Sequence, residues 1–398
     1  MIDRPLYLEK LLGFKDTQLI KIVTGVRRCG KSTLFELYQA KLVRHGVKQE
    51  QIQSINLEDP SYRDLLDWEK LYDFISPRLL SKRMNYIFID EIQNVKDFQR
   101  AADGLFIKKN VDLYLTGSNS KMQSGQWATL LSGRYVEIHM FPLSLKEYAS
   151  AYPDSNSSDK IYSRYLEYSS FPYVTSMLRK KQQVYDYLSG IYNTIVLKDI
   201  IENKSIKGTG RLERIIKFMA DNIGSQTSIK KISDTLTSDG LKIMPLTVES
   251  YLDAFHDSYI LYRADRYDIK GKKLLKTINK YYLVDLGLRR FLLGDKPADT
   301  GHVLENVVYL ELLRRKSKVY IGKVGEKEVD FVTEGQDGKE YYQVSETVRG
   351  PETLARELTP LEAIHDHYPK FLLTRDYSPS GSHNGIKQLN VLEWLINS

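Results

Sequence analysis

Apolar residues in the first 150 positions gather into short blocks separated by amphipathic stretches. LIKIVTG reads as a buried strand, and IQSIN, YIFID, VDLYLTG and YVEIHM read as a second to a fifth. Helical periodicity fills most of the intervals, beginning with a helix from Lys31. Such alternation predicts an α/β fold, a mostly parallel sheet with helices on both faces.

The pattern then changes. AYPDSNSSDK is rich in Ser, Asp and Pro and reads as a linker or exposed loop. Residues 161 to about 201 are helical and rich in tyrosine. Three shorter helices follow in RLERIIKFMADNIG, SIKKISDTL and TVESYLDAFHDSYIL, with Gly224 suited to a helix end and Ser228 and Thr247 to N-caps. Next, ILYRADRYDIKGKKLLKTINKYYLVD reads as a hairpin turning at Gly271. Three helices and a basic hairpin have the form of a winged helix-turn-helix. The last hundred residues return to α/β: a helix from Val303, strands at VYIGK, EVDFV and EYYQVS, a helix LARELTPLEAIHDHY and a strand FLLT. The expected division is a core over 1–150, a helical region over 151–200, a winged-helix-like domain over 201–294 and a small α/β domain over 295–398.

Composition is ordinary for a globular protein, with 42% hydrophobic and 27% charged residues. No apolar run reaches membrane-span length. The start, MIDRPLYLEKLLGF, lacks a signal-peptide pattern, and Cys29 is the only cysteine, so a cytoplasmic location without intrachain disulfides is expected. The net charge of +7 is concentrated. Between Lys198 and Gly294 there are 18 Lys/Arg and 12 Asp/Glu, an excess of +6. Either an anionic partner, DNA first among them, or a solvated basic face explains it. The hairpin over 263–280 would make the contact, through Arg263, Arg266, Lys270, Lys272, Lys273, Lys276 and Lys280. The third short helix carries Glu249, Asp253 and Asp257, which oppose insertion into a groove. Docking of a protein partner is the alternative use of such a domain.

The candidate chemistry begins after the first strand. Gly25, Val26, Arg27, Arg28, Cys29, Gly30, Lys31 and Ser32 fit GxxxxGK[ST], and Thr33 continues into the helix. The glycines let main-chain N–H groups turn onto phosphate oxygens, and the helix N-terminus adds partial positive charge. Lys31 would neutralise the β- and γ-phosphates of ATP, and the Ser32 hydroxyl would ligate Mg²⁺. Arg27 and Arg28 either touch phosphate or an acidic neighbour, or face solvent. YIFIDEIQ supplies the partner motif: Asp90 emerges at the end of an apolar strand to order Mg²⁺, and Glu91 faces the attacking water as general base. Gln93 is a further polar lining residue.

GVRRCGKST, IFIDEIQ, LTGSNS and LSGRYVEIHMFPLSLKEY together resemble a prokaryotic AAA+-superfamily ATPase family, whose members join an N-terminal ATPase core to a C-terminal domain of unknown function. The resemblance covers nearly the whole chain. It implies that the fourth strand lies between the two motif strands and that a polar residue at its tip, Ser118 or Asn119, senses the γ-phosphate. It also aligns Arg134 with an SGR-like turn, as an arginine finger, a sensor, or a structural arginine paired with a carboxylate. A finger contributes about 10³–10⁵ in rate, and one acting between neighbours would require oligomerisation.

In the tail, Glu305, Asp330, Gln343 and Ser345 stand in an order resembling the PD-(D/E)xK nuclease fold. That chemistry needs carboxylates for Mg²⁺ and a lysine to orient water. Gln343 is a neutral ligand at best, Ser345 carries no charge, and Glu346 points to the opposite strand face. The tail is therefore expected to be an inactive, nuclease-like α/β domain, the alternative being cleavage with a lysine borrowed from elsewhere. His365 and His367, two apart on a helix, are expected to face different sides. The sequence reading is a Mg²⁺-dependent ATPase whose cycle moves the C-terminal region. The alternatives are a slow nucleotide-gated switch with a protein partner and an ATP-regulated nuclease.

Overall fold

A computed structural model describes residues 2–117, 130–131, 133–153, 157–177, 180–201, 209–294, 300–316, 318–336, 338–377 and 381–397. The chain forms two compact units. The first comprises Met1–Pro142 with Asn193–Ser205 and Asp257–Tyr259; the second comprises Leu143–Tyr192, Ile206–His256 and Ile260–Ser398. Among the described residues no helix is long and apolar enough to cross a membrane.

The first unit is built on five strands, β1 (Ile20–Thr24), β2 (Ile52–Asn56), β3 (Asn85–Asp90), β4 (Val111–Gly117) and β5 (Tyr135–His139). All pairings are parallel, in the order β2-β3-β4-β1-β5. The fourth strand thus lies between the two motif strands. Both faces of the sheet are covered, and alternation sorts the side chains. Ile20, Ile22, Ile87, Ile89, Leu113 and Leu115 join one core with the helices Trp68–Ile75 and Phe98–Phe106. On the other face Phe88 stacks on Tyr114, and Phe35 and Tyr38 of the helix Lys31–Arg44 pack edge-on to Phe88. Asp90 and Thr116 follow the even positions of their strands onto this second face. The apolar blocks and the parallel α/β sheet are therefore as the residue pattern predicts.

The second unit begins with helices and ends in an eight-stranded mixed sheet, β12-β13-β11-β10-β9-β8-β6-β7. Its strands are β6 (Leu261–Asp268), β7 (Lys273–Leu283), β8 (Lys318–Val324), β9 (Lys327–Gly335), β10 (Gly338–Ser345), β11 (Lys370–Thr374), β12 (Gly381–His383) and β13 (Ile386–Asn390). The predicted hairpin is β6 and β7. It is not a separate wing, because Arg266–Asp268 of β6 pair in parallel with Ile321–Lys323 of β8. The junction expected at 294 therefore lies inside one sheet. The helix Thr300–Arg315 is buried on nearly all sides and packs on β7, β8, β9 and β10.

Two local differences have simple causes. The helical region expected over 161–201 is divided into Ser158–Tyr168 and Lys181–Asn193 by a 3₁₀ turn, Pro172–Ser176, because Pro172 fits the start of a new turn but not a helix interior. The helix Pro351–Glu362 stops before the histidines, so His365 and His367 lie outside it and the helical-face expectation does not apply.

Candidate active site

The phosphate loop leaves β1 and turns straight into Lys31–Arg44. Gly25 has φ +143, and a Cβ there would meet the Met140 carbonyl oxygen at 2.1 Å. Only glycine fits this close approach. Gly30, at φ +103, precedes the helix, and Arg28 is also left-handed at φ 66. Lys31 is only 5% exposed. Its Nζ donates to the carbonyls of Gly25 at 3.1 Å and Val26 at 3.3 Å. Val26 and Cys29 are buried, Thr33 is half-buried, and Ser32 is exposed. Burial raises the Cys29 thiol above its ordinary pKa, which keeps it protonated. Arg28 is exposed, while Arg27 reaches Glu58 at 3.6 Å.

Asp90 and Glu91 lie beside this loop and are both buried. The Thr116 hydroxyl donates to Asp90 Oδ1 and accepts the Glu91 N–H at 2.9 Å. Burial pushes Asp90 above the usual carboxylate range; Ser32, Thr116 and Lys31 oppose the rise, and Glu91 adds to it. Glu91 has a left-handed backbone, φ 55, and its carboxylate accepts from the Gln93 amide. Such a backbone is costly for a non-glycine residue and clusters at functional sites. The structure thus brings Lys31, Ser32, Asp90, Glu91 and Gln93 to one place.

Ser118 and Asn119 lie outside the described residues. Arg134 is described and stands elsewhere. Its carbonyl accepts from Ile20 N–H at the start of β1, whereas the loop follows the end of that strand. One strand of this length spans roughly 16 Å. Arg134 pairs there with Asp103 at 3.3 Å, its guanidinium 5.6 Å from the centre of the Phe106 ring. The structural pairing is the one observed, and the residue does not join the phosphate loop of its own chain.

Two contributors escaped the sequence reading. Thr116 shares a strand face with Asp90, and that alternation was the available signal. Arg4 is 3% exposed and donates to the carbonyls of Cys29 at 3.1 Å and Phe141 at 2.7 Å. It braces the loop against the segment after β5. No periodicity marks it.

The second unit holds another buried polar cluster. Lys280 of β7 is 4% exposed. Its Nζ lies 2.8 Å from Glu328 Oε1 and 3.1 Å from Glu305 Oε2. Tyr282 also donates to Glu305, at 3.2 Å. Asp330 accepts from Val344 N–H at 2.8 Å, and Gln343 donates to Glu357 at 2.9 Å. Lys280 is thus withdrawn from the hairpin's basic surface. Arg263 pairs with Asp265 at 3.0 Å, while Lys270, Lys272 and Lys273 at the tip are exposed. The side chain of Lys276 falls outside the described residues. Ser345 donates to the Thr347 carbonyl, and Glu346 pairs with Arg375 at 3.1 Å, away from the cluster. Among the described residues no group of three or more His, Cys, Asp or Glu is placed to hold a metal ion.

Residues 17–149 match the family model of an AAA domain, and residues 159–299 match a domain of unknown function, DUF8612. An uncharacterized protein of Haemophilus influenzae is 41% identical over 400 residues, spanning 100% of this chain and 99% of its own. The chain belongs to this family of AAA-domain proteins. The AAA domain contains the whole phosphate loop, Asp90, Glu91 and Thr116, so the first unit is an AAA-type P-loop ATPase domain. A second relative, MJ1544 of Methanocaldococcus jannaschii, is 28% identical over 346 residues, covering 82% of this chain and 74% of its own. Among solved structures, the Walker-type ATPase PABY2304 of Pyrococcus abyssi aligns at a TM-score of 0.49 and 17% identity, over 73% of this chain and 96% of that one.

Proposed function

We propose that this AAA-domain protein is a Mg²⁺-dependent ATPase whose nucleotide cycle acts through the second unit. One observation supports the reading above the others: a buried ammonium, Lys31, held by neutral main-chain carbonyls of the phosphate loop. Carbonyls satisfy the charge incompletely, so anionic phosphate oxygens would displace them with a gain. The loop fits the ligand in shape as well, since a side chain at Gly25 would fill the turn.

Gly25 to Thr33 would then hold the phosphates, with Ser32 and Asp90 holding Mg²⁺. When bound, Mg²⁺ supplies charge neutralisation on the phosphates. Thr116 fixes the Asp90 carboxylate and the Glu91 main chain together, so that Glu91 can accept a proton from water. The Gln93 amide already engages Glu91, and this favours slow turnover, hence a nucleotide-gated switch, as the second reading.

Glu91→Gln tests these roles. We expect ATP affinity within a few-fold of wild type by calorimetry and a turnover lower by about 10²–10⁴-fold. Loss of binding would contradict the role of Glu91 as base. Turnover with and without DNA distinguishes a motor from a slow switch.

DNA is the proposed partner of the hairpin tip, through Lys270, Lys272 and Lys273. Binding there would weaken with salt at a log–log slope of roughly 0.9 per phosphate contacted. We read residues 295–398 as a nuclease-like domain used for binding rather than cutting. Purified protein incubated with Mn²⁺ and DNA or RNA tests this, and cleavage lost in Asp330→Ala would reverse it.

A further inference from the structure

Tyr259 stands where glycine is the ordinary residue. It follows the helix Pro245–Asp257, and the Ile260 N–H returns to the Phe255 carbonyl at 3.1 Å. That bond marks a helix end closed by one left-handed residue, usually glycine. Tyr259 fills the position at φ 59, a conformation costly for a bulky side chain. Such a residue persists only where its surroundings hold it. The contacts that hold it lie within the first unit, to which Asp257–Tyr259 belongs. The Tyr259 ring packs on the His139 ring, with centroids 4.4 Å apart. Its hydroxyl lies 3.4 Å from Glu137 Oε1. Burial, with the Glu137 charge, raises the phenol's pKa, so the hydroxyl keeps its proton and donates. Glu137 and His139 share one face of β5.

Both β5 residues meet at one atom. Thr24 Oγ1 donates to Glu137 Oε1 at 2.6 Å and lies 3.2 Å from His139 Nδ1. Thr24 is the last residue of β1, immediately before Gly25. Its carbonyl accepts from the Met140 N–H at 2.8 Å, and the Met140 carbonyl is the group that leaves no room for a side chain at Gly25. The Gly25 carbonyl in turn accepts from Lys31. A continuous run of contacts therefore leads from the Tyr259 side chain to the buried ammonium of the phosphate loop. We propose that Tyr259 is a positioning residue for this loop, and that through it bound nucleotide is coupled to the end of the helix Pro245–Asp257. The inference rests on the reading that the loop binds ATP. A shift of Gly25 on binding phosphate would be felt at Thr24, and so at Glu137 and His139. The coupling is reciprocal: a helix end that steadies the loop for ATP is itself steadied by ATP.

The test uses the full chain. ATP affinity is measured by calorimetry, and amide exchange over residues 245–257 is followed with and without ATP. In wild type, ATP should slow exchange in this helix. Tyr259→Gly should weaken ATP binding by about fivefold or more and remove the exchange response. Its unfolding temperature should stay close to that of wild type, because glycine suits the helix end and offsets the lost contacts. A purely structural tyrosine would do the opposite, lowering the unfolding temperature while ATP affinity and the exchange response stay intact. That result overturns the proposal, as does a wild-type helix whose exchange ignores ATP. Should Tyr259→Gly not fold, Tyr259→Phe and Glu137→Ala decide. Each should weaken ATP binding, and the double variant should lose no more than Glu137→Ala alone, because the hydroxyl acts through that carboxylate. Additive losses overturn the assignment. A wild type that binds no ATP removes the ATPase reading and this inference together. A wild type that binds it, matched by Tyr259→Gly in affinity and exchange, removes this inference alone.

Discussion

Lys31 and Lys280 are almost equally buried, at 5% and 4% exposure, yet they are opposite kinds of site. Lys31 donates to neutral carbonyls of its own loop. Lys280 is bonded by two carboxylates and lies in the field of a third. An ammonium held by carbonyls retains attraction for an arriving anion, whereas one saturated by carboxylates has little left to offer. Burial of a lysine therefore says little about function until the charge of its partners is known.

Removing each cation in turn should give opposite results. Lys280→Gln leaves carboxylates buried without a counter-charge, and we expect a loss of about 3–5 kcal/mol in stability. Chemical denaturation at neutral pH measures it, and ATP affinity should be unaffected. Lys31→Ala should do the reverse, with ATP affinity falling by about 10²-fold, roughly 3 kcal/mol, and little loss of stability. If the two variants lost the same property, the contrast between the sites would be wrong.

Arg4→Ala sharpens the comparison from the loop's other side. It removes charged donors to the carbonyls of Cys29 and Phe141, and each such bond is worth about 1.5–3 kcal/mol. A lower unfolding temperature and an ATP affinity reduced by about tenfold are expected, with Arg4→Lys recovering part of both.

The smallest effect should be at Asp90. Its folded pKa is raised, chiefly by burial, so the folded chain holds that proton to higher pH than the unfolded chain. Stability is therefore lost as pH rises from about 3.9 through the folded value. Asp90→Asn should flatten that part of the pH–stability profile. It should also raise the neutral-pH unfolding temperature by about 2–4 °C, while weakening Mg²⁺-dependent nucleotide binding.

What the sequence revealed follows from the range of the contacts. The phosphate loop was legible because its residues are contiguous and its shape depends on main-chain geometry. Asp90 and Glu91 were legible because an apolar strand points them out. Thr116, Arg4 and Lys280 act through partners 25 or more positions away. Of these, Lys280 left a trace. It shares a strand face with Tyr282, an inward position for a residue grouped with the surface lysines of the hairpin. Arg134 shows the converse, since a motif match gave its neighbourhood in sequence but not the end of the sheet on which it stands.

The pairing of β6 with β8 has a practical corollary for dissecting the protein. A fragment cut to the borders of the DUF8612 match would end at 299, ahead of β8 and of the helix that supplies Glu305. It would keep Lys280 while discarding Glu305, Glu328 and Asp330, and would leave one margin of β6 unpaired and prone to self-association. Excision that respects the architecture has to carry the strands through Asn390.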